Sequence, residues 1–136
     1  MGKVILNPKR FIPQIDHSHR IKRDMGAQEI IFVNGQVAVD RDGKAIAPKN
    51  FSKQADFVFR NIQKILRQDG ASFSDVVKET IYLTDISKFK DVSAVRNRYF
   101  ANANPASTLV EVKKTAQKGC DLAIEVIAIR NKEEFL

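Results

Sequence analysis

The stretch "NANPASTLVEV" at residues 102–112 places small hydroxyl side chains where proteins often do chemistry. Pro105 is expected to end a preceding helix, because its ring forbids helical continuation. Leu109 to Val112 alternate as a strand does. Ser107 and Thr108 would then open that strand at the rim of a cleft. No base is positioned beside them, so they are expected to bind through hydrogen bonds rather than to act as nucleophiles. Elsewhere, "DHSH" sets His17 and His19 on one side of an extended segment, where either could serve as an acid, a base or a lid. Two histidines without a third firm ligand do not make a metal site, so no metal and no other cofactor is expected. Cys120 is the only cysteine; beside Gly119 it is expected near the surface, with no base to activate it.

These residues need a frame. "EIIFVNGQVAVD" (29–40) reads as a hairpin of two strands around Asn34-Gly35, and "DRDGKAIAP" (40–48) as a loop. Phe51, Ala55, Val58, Ile62, Ile65 and Leu66 recur at helical spacing between an Asn50 cap and a Gly70 stop. "DVVKETIYLTD" (75–85) is β-branched and aromatic, hence a strand. A second helix, capped by Asp85 or Ser87, would turn Phe89, Val92, Val95 and Tyr99 inward and close at Pro105. Strands at 107–113 and 121–130 complete a β-β-α-β-α-β-β order, after 27 irregular, polar residues. Helices between strands imply crossovers that lay both helices on one sheet face. Ile30 to Val33, and Leu122 to Ile127, carry apolar residues toward the other face as well. An apolar sheet face needs cover, and self-association would supply it.

At 136 residues, one domain is expected. The formal charge of +7 could attract anions or nucleic acid. The basic residues are dispersed, however (Lys22-Arg23, Arg60 and Lys64, Arg96 and Arg98, Lys113-Lys114), and no aromatic interleaving marks a base-stacking platform. Nucleic acid is therefore not an expected partner. No apolar run is long enough to span a bilayer. The start, "MGKVILNPKRF", lacks the apolar region of a signal peptide, and Leu6 fails the myristoylation pattern. With a single cysteine, a cytoplasmic protein is expected.

"FVNGQVAVD", "NIQKIL", "GASFSDVVKETIYLTDISKFKDVSAVRNRYF", "PASTLVEV" and "IEVIAIR" stand in the order in which the Rid family (the YjgF/RidA group, labelled L-PSP endoribonuclease) carries such segments. The chain resembles that family from about residue 28 to 130. The resemblance implies a single α+β domain of chorismate-mutase-like fold at 28–136, with 1–27 as an N-terminal extension and pocket lid. It implies a homotrimer whose sheets pack into a central barrel, with a small-molecule pocket at each subunit interface. It also implies hydrolysis of enamines and imines released by amino-acid metabolism.

In that family an arginine grips the substrate carboxylate in a bidentate fork. Its position here is Ser107. The position of the water-activating glutamate is Ala123, that of a pocket serine is Asn34, and that of a helix asparagine is near Ser93. The lid tyrosine falls near His17, with His19 the other candidate, and a cysteine after the arginine is replaced by Leu109. The chain thus resembles a divergent branch whose substrate is not the usual one. Two residues could compensate. Arg96 shares a helix turn with Ser93 and could bind a carboxylate. Glu125 lies on the strand face of Ala123, roughly 6.6 Å along, and could serve a shifted site. A metabolite-binding trimer without catalysis, and an RNA-associated protein, are the alternatives.

Overall fold

The computed structural model describes residues 3–6 and 19–132. Six strands, β1 (Lys3–Leu6), β2 (Arg20–Asp24), β3 (Gln28–Gln36), β4 (Val76–Leu83), β5 (Ala106–Glu111) and β6 (Leu122–Asn131), form one sheet in the order β1-β2-β3-β6-β4-β5. Helices α1 (Phe51–Arg67) and α2 (Phe89–Phe100) connect β3 to β4 and β4 to β5. β4 and β5 pair in parallel and every other pair is antiparallel. From β2 onward the order is β-β-α-β-α-β-β in an α+β domain, as expected, although its first two strands are not the pair expected at 29–40.

Helix α1 forms as its sequence dictates. The Asn50 side chain accepts a hydrogen bond from the Lys53 N–H at 3.0 Å, which satisfies an otherwise orphaned donor. Lys64 and Arg67 sit in the last turn, favoured by the helix dipole, and Gly70 takes φ +72° just beyond. All six apolar positions expected to face inward are buried, together with Phe59 and Gln54. They pack on Ile31, Val33, Ile81, Leu83, Leu122, Ile124 and Val126 of the sheet. Each buried Val, Ile, Leu or Phe side chain contributes about 1.5–3 kcal/mol by leaving water. Phe59, Phe73, Tyr99 and Phe100 cluster between α1 and α2, with Phe73 and Phe100 ring centroids 4.9 Å apart.

Four expectations are corrected. Asn34-Gly35 is not a hairpin turn: Gly35 does not take the positive φ such a turn requires, and β3 runs through both residues. Val33 opposes Val126 and Gln36 opposes Ile124, so one extra residue is accommodated as a bulge and both Asn34 and Gly35 lie across from Glu125. The actual hairpin joins β2 to β3 through Gly26, at φ +85°, whose N–H is accepted by Asp24. Residues 1–27 are consequently not all irregular: β1 and β2 lie in them. Phe89 is not an inward residue of α2 but is 44% exposed, because the helix begins there from a 3-10 turn at Ile86–Lys88. Finally, α2 ends at Phe100, where Ala101 takes φ 51°, and Pro105 lies beyond that break.

Both helices cover one face. The other face carries Ile21, Ile30, Phe32, Ile127 and Val110, with Phe32 45% exposed. No described helix is long and apolar enough to cross a membrane.

Candidate functional site

Strand alternation sorts the candidate residues onto the two faces of the sheet. Thr80 of β4 is paired with Thr108 of β5 on one side and with Glu125 of β6 on the other. Asn34 at the β3 bulge continues this row. The next row along the strands holds Val110, Tyr82 and Ala123. Thr108, Glu125, Asn34 and Ala123 therefore share the face that the helices leave open. Tyr82 Oη donates to Glu125 Oε1 at 2.5 Å, and Lys78 Nζ donates to Thr108 Oγ1 at 2.6 Å. The Tyr82 phenol is raised above its ordinary pKa, first by this hydrogen bond to Glu125 and then by burial and the neighbouring charge.

A cavity of about 290 Å³ opens beside the row, lined by Arg20, Ile21, Phe32, Asn34, Glu125 and Ile127. It is mostly apolar with a few convergent polar groups, the usual character of a small-molecule site. His19, which precedes Arg20 of the lining, is buried, and its carbonyl accepts from Asn34 N–H at 2.8 Å. His17 lies outside the described residues, whereas His19, the other lid candidate, is described.

Ser107, Ser93 and Arg96 belong to the opposite face. Ser107 pairs with Glu79, which is fully buried. Arg96 Nε donates to Glu79 Oε2 at 2.6 Å, Nη1 donates to Asn97 at 3.0 Å, and the guanidinium lies 4.7 Å from the centre of the Phe100 ring. Arg96 is thus engaged by a carboxylate of its own chain. Burial raises the Glu79 carboxyl above the usual range, partly offset by the Arg96 hydrogen bond and charge and by the Ser107 hydroxyl. Within one chain, then, the candidates form two groups separated by the sheet.

Cys120 corrects an expectation. It is buried, its thiol donates to the Ala38 carbonyl at 3.4 Å, and burial raises its pKa, so it is held as an unreactive thiol. Among the described residues no three His, Cys, Asp or Glu side chains cluster as a metal site. Lys78 and Tyr82 were not singled out from sequence. The signal was available in "VVKETIYL", whose period of two puts Lys78, Thr80 and Tyr82 together on one face.

The family model described as Endoribonuclease L-PSP matches residues 11–130. A RutC family protein of Pyrococcus abyssi is 36% identical over 131 residues, covering 96% of this chain and 98% of that one. A 2-iminobutanoate/2-iminopropanoate deaminase of Rattus norvegicus is 32% identical over 100 residues, covering 74% of this chain and 72% of its own. Among solved structures, E. coli TdcF with bound serine superposes with a TM-score of 0.78 at 26% identity, covering 94% of this chain and 99% of that one.

Proposed function

We propose, from the premise that this chain belongs to the L-PSP endoribonuclease family (the RutC and Rid proteins), that it hydrolyses an imine or enamine held against the open sheet face. The observation that carries the reading is the Tyr82–Glu125 pair beside a small apolar cavity. Tyr82 occupies Oε1 of Glu125 and leaves Oε2 to take a proton from water. That water adds to the C=N carbon of the protonated imine. Glu125 returns that proton to the carbinolamine nitrogen and takes the hydroxyl proton as the C–N bond breaks, and ammonia then carries it away, so that the products are a carbonyl compound and ammonium. Asn34 and Thr108 offer hydrogen bonds that orient the polar ends of the ligand.

The names of the rat and Bos taurus relatives support C=N hydrolysis, and serine in the TdcF structure supports a ligand of amino-acid size. Ser107 stands where the resemblance places an arginine and lies across the sheet beside Glu79, so the open-face cavity gains no cation from that position, and a substrate bearing less charge than a 2-imino carboxylate fits this chain better. The exposed Phe32 and its apolar neighbours favour packing of this face against further copies, and we assign the assembly as a homotrimer with the pocket completed between subunits. A second reading, metabolite binding without turnover, draws on Ala123, which leaves the glutamate position of the resemblance empty of a carboxylate.

The test couples mass to turnover. The expected species has three times the 15.4 kDa chain mass and hydrolyses a neutral enamine generated in situ. A monomer at micromolar concentration would remove the shared pocket. A trimer that binds the enamine saturably but leaves it intact would support the second reading.

A further inference from the structure

A separate cavity of about 1000 Å³ lies outside the carboxyl ends of the parallel strands β4 and β5, bounded by the start of α1 and the segment leading into β6. In open sheets, crevices at the carboxyl ends of parallel strands are recurrent ligand sites. Its lining includes Lys49, Lys88, Lys113, Lys114 and Lys118, distant in sequence but brought together here. All five are exposed, and among the described residues none makes an ion pair; the lysines that do are Lys22 and Lys132.

Among the described residues two carboxylates share the cavity, Asp85 and Asp121. Their hydrogen bonds come from neutral donors, and the charges of Lys88 and Lys49 act on Asp85 without an ion-pair contact. Asp121 Oδ2 accepts the Lys49 backbone N–H at 2.6 Å and the Gln54 amide at 3.3 Å, and Asp85 Oδ1 accepts the Ser87 N–H at 3.0 Å and hydroxyl at 2.6 Å. The cavity therefore carries an excess of three positive charges. A concave surface lined by one sign of charge concentrates the opposite ion. Lysine ammonium groups bind phosphate as point charges.

We propose that this cavity is a binding site for a small molecule bearing a chain of phosphates. The lysines come from three separate segments, so a single small anion could not engage them all, whereas a polyphosphate chain could. The volume falls at the upper end of the range for small-molecule sites. Phe51 and Pro48 add apolar wall for a non-phosphate portion. The site shares no residue with the open-face pocket and stands whether or not that pocket hydrolyses imines.

The test titrates the intact protein with inorganic tripolyphosphate, and in parallel with ATP, by calorimetry at physiological salt. One saturable site per chain is expected. Lys113→Gln with Lys114→Gln should weaken it at least tenfold, while Lys53→Gln with Lys64→Gln, the same charge change on exposed α1 positions, should leave it within twofold. Tighter binding of ATP than of tripolyphosphate would identify a nucleotide, and equal binding a polyphosphate; both support the site. No saturation at millimolar tripolyphosphate, or equal loss in both double variants, would overturn it. So would single-stranded RNA that binds through Lys113 and Lys114 and is not displaced by tripolyphosphate, since the surface would then serve nucleic acid.

Discussion

Removing the Arg96 side chain isolates Glu79 in the interior. Glu79 is fully buried, and Arg96 supplies its closest charged contact at 2.6 Å. Deleting one partner of such a pair costs about 3–5 kcal/mol, because the remaining charge is left uncompensated. Against a total stability of about 5–15 kcal/mol that is a large fraction. The melting temperature of Arg96→Leu should fall by on the order of 10–20 °C. The pH dependence follows from the raised Glu79 pKa. The folded state holds that proton more tightly than the unfolded state does, so this group's contribution is fully present below the ordinary carboxylate range. It is lost as pH rises through the folded value. The deficit of Arg96→Leu relative to wild type should therefore shrink on acidification, as Glu79 becomes neutral. Replacing both residues, Glu79→Leu with Arg96→Leu, should recover most of the loss, since an apolar pair of similar volume needs no compensation. The chain has no tryptophan, so urea unfolding is followed by far-ultraviolet circular dichroism at fixed protomer concentration. A single-variant cost under about 1 kcal/mol at neutral pH, or a double variant no better than the single, would refute a structural role for the pair.

Three further outcomes are expected. Gly119→Ala should destabilise the fold by about 1–3 kcal/mol, because φ is +81° and the new Cβ would stand 2.8 Å from Ala45 Cβ; an unchanged thermal melt would contradict this. Near-ultraviolet titration should show Tyr82 and Tyr99 ionising above the ordinary phenol value, and Glu125→Gln should return one of them toward it; an unaltered titration curve would remove the Tyr82–Glu125 bond. Hydrolysis of simple 2-imino acids, generated by an amino-acid oxidase, should run about two orders of magnitude below an arginine-containing family member in kcat/KM; equal rates would mean that another cation, with Lys78 the nearest to the row, grips the carboxylate.

Helix α1 was legible because its cap, its apolar spacing and its stop all agree. β2 was not, because "RIKRD" reads as polar. Arg20 is buried against Asp69 at 2.6 Å and Lys22 lies 3.2 Å from Glu29, so tertiary ion pairs complete a strand that its composition hides. The Asn34-Gly35 signal was real but was used for a bulge, a distinction that depends on which strand pairs opposite. At the site, period-two alternation already separates Ser107 from Thr108. What it could not supply is the partner of each: Glu79 for Arg96, Tyr82 for Glu125, Lys78 for Thr108. The lysine cavity was equally hidden, since its cations are dispersed in sequence and gathered only by the ends of β4 and β5.

The most direct measurement of the central claim compares enamine hydrolysis by wild type and Glu125→Gln, purified identically and matched in solution mass. With the acceptor oxygen replaced and the fold retained, the rate should fall at least about a hundredfold, the lower end of what a general base contributes. Wild-type turnover undiminished in Glu125→Gln would place the chemistry away from the open sheet face and contradict the account.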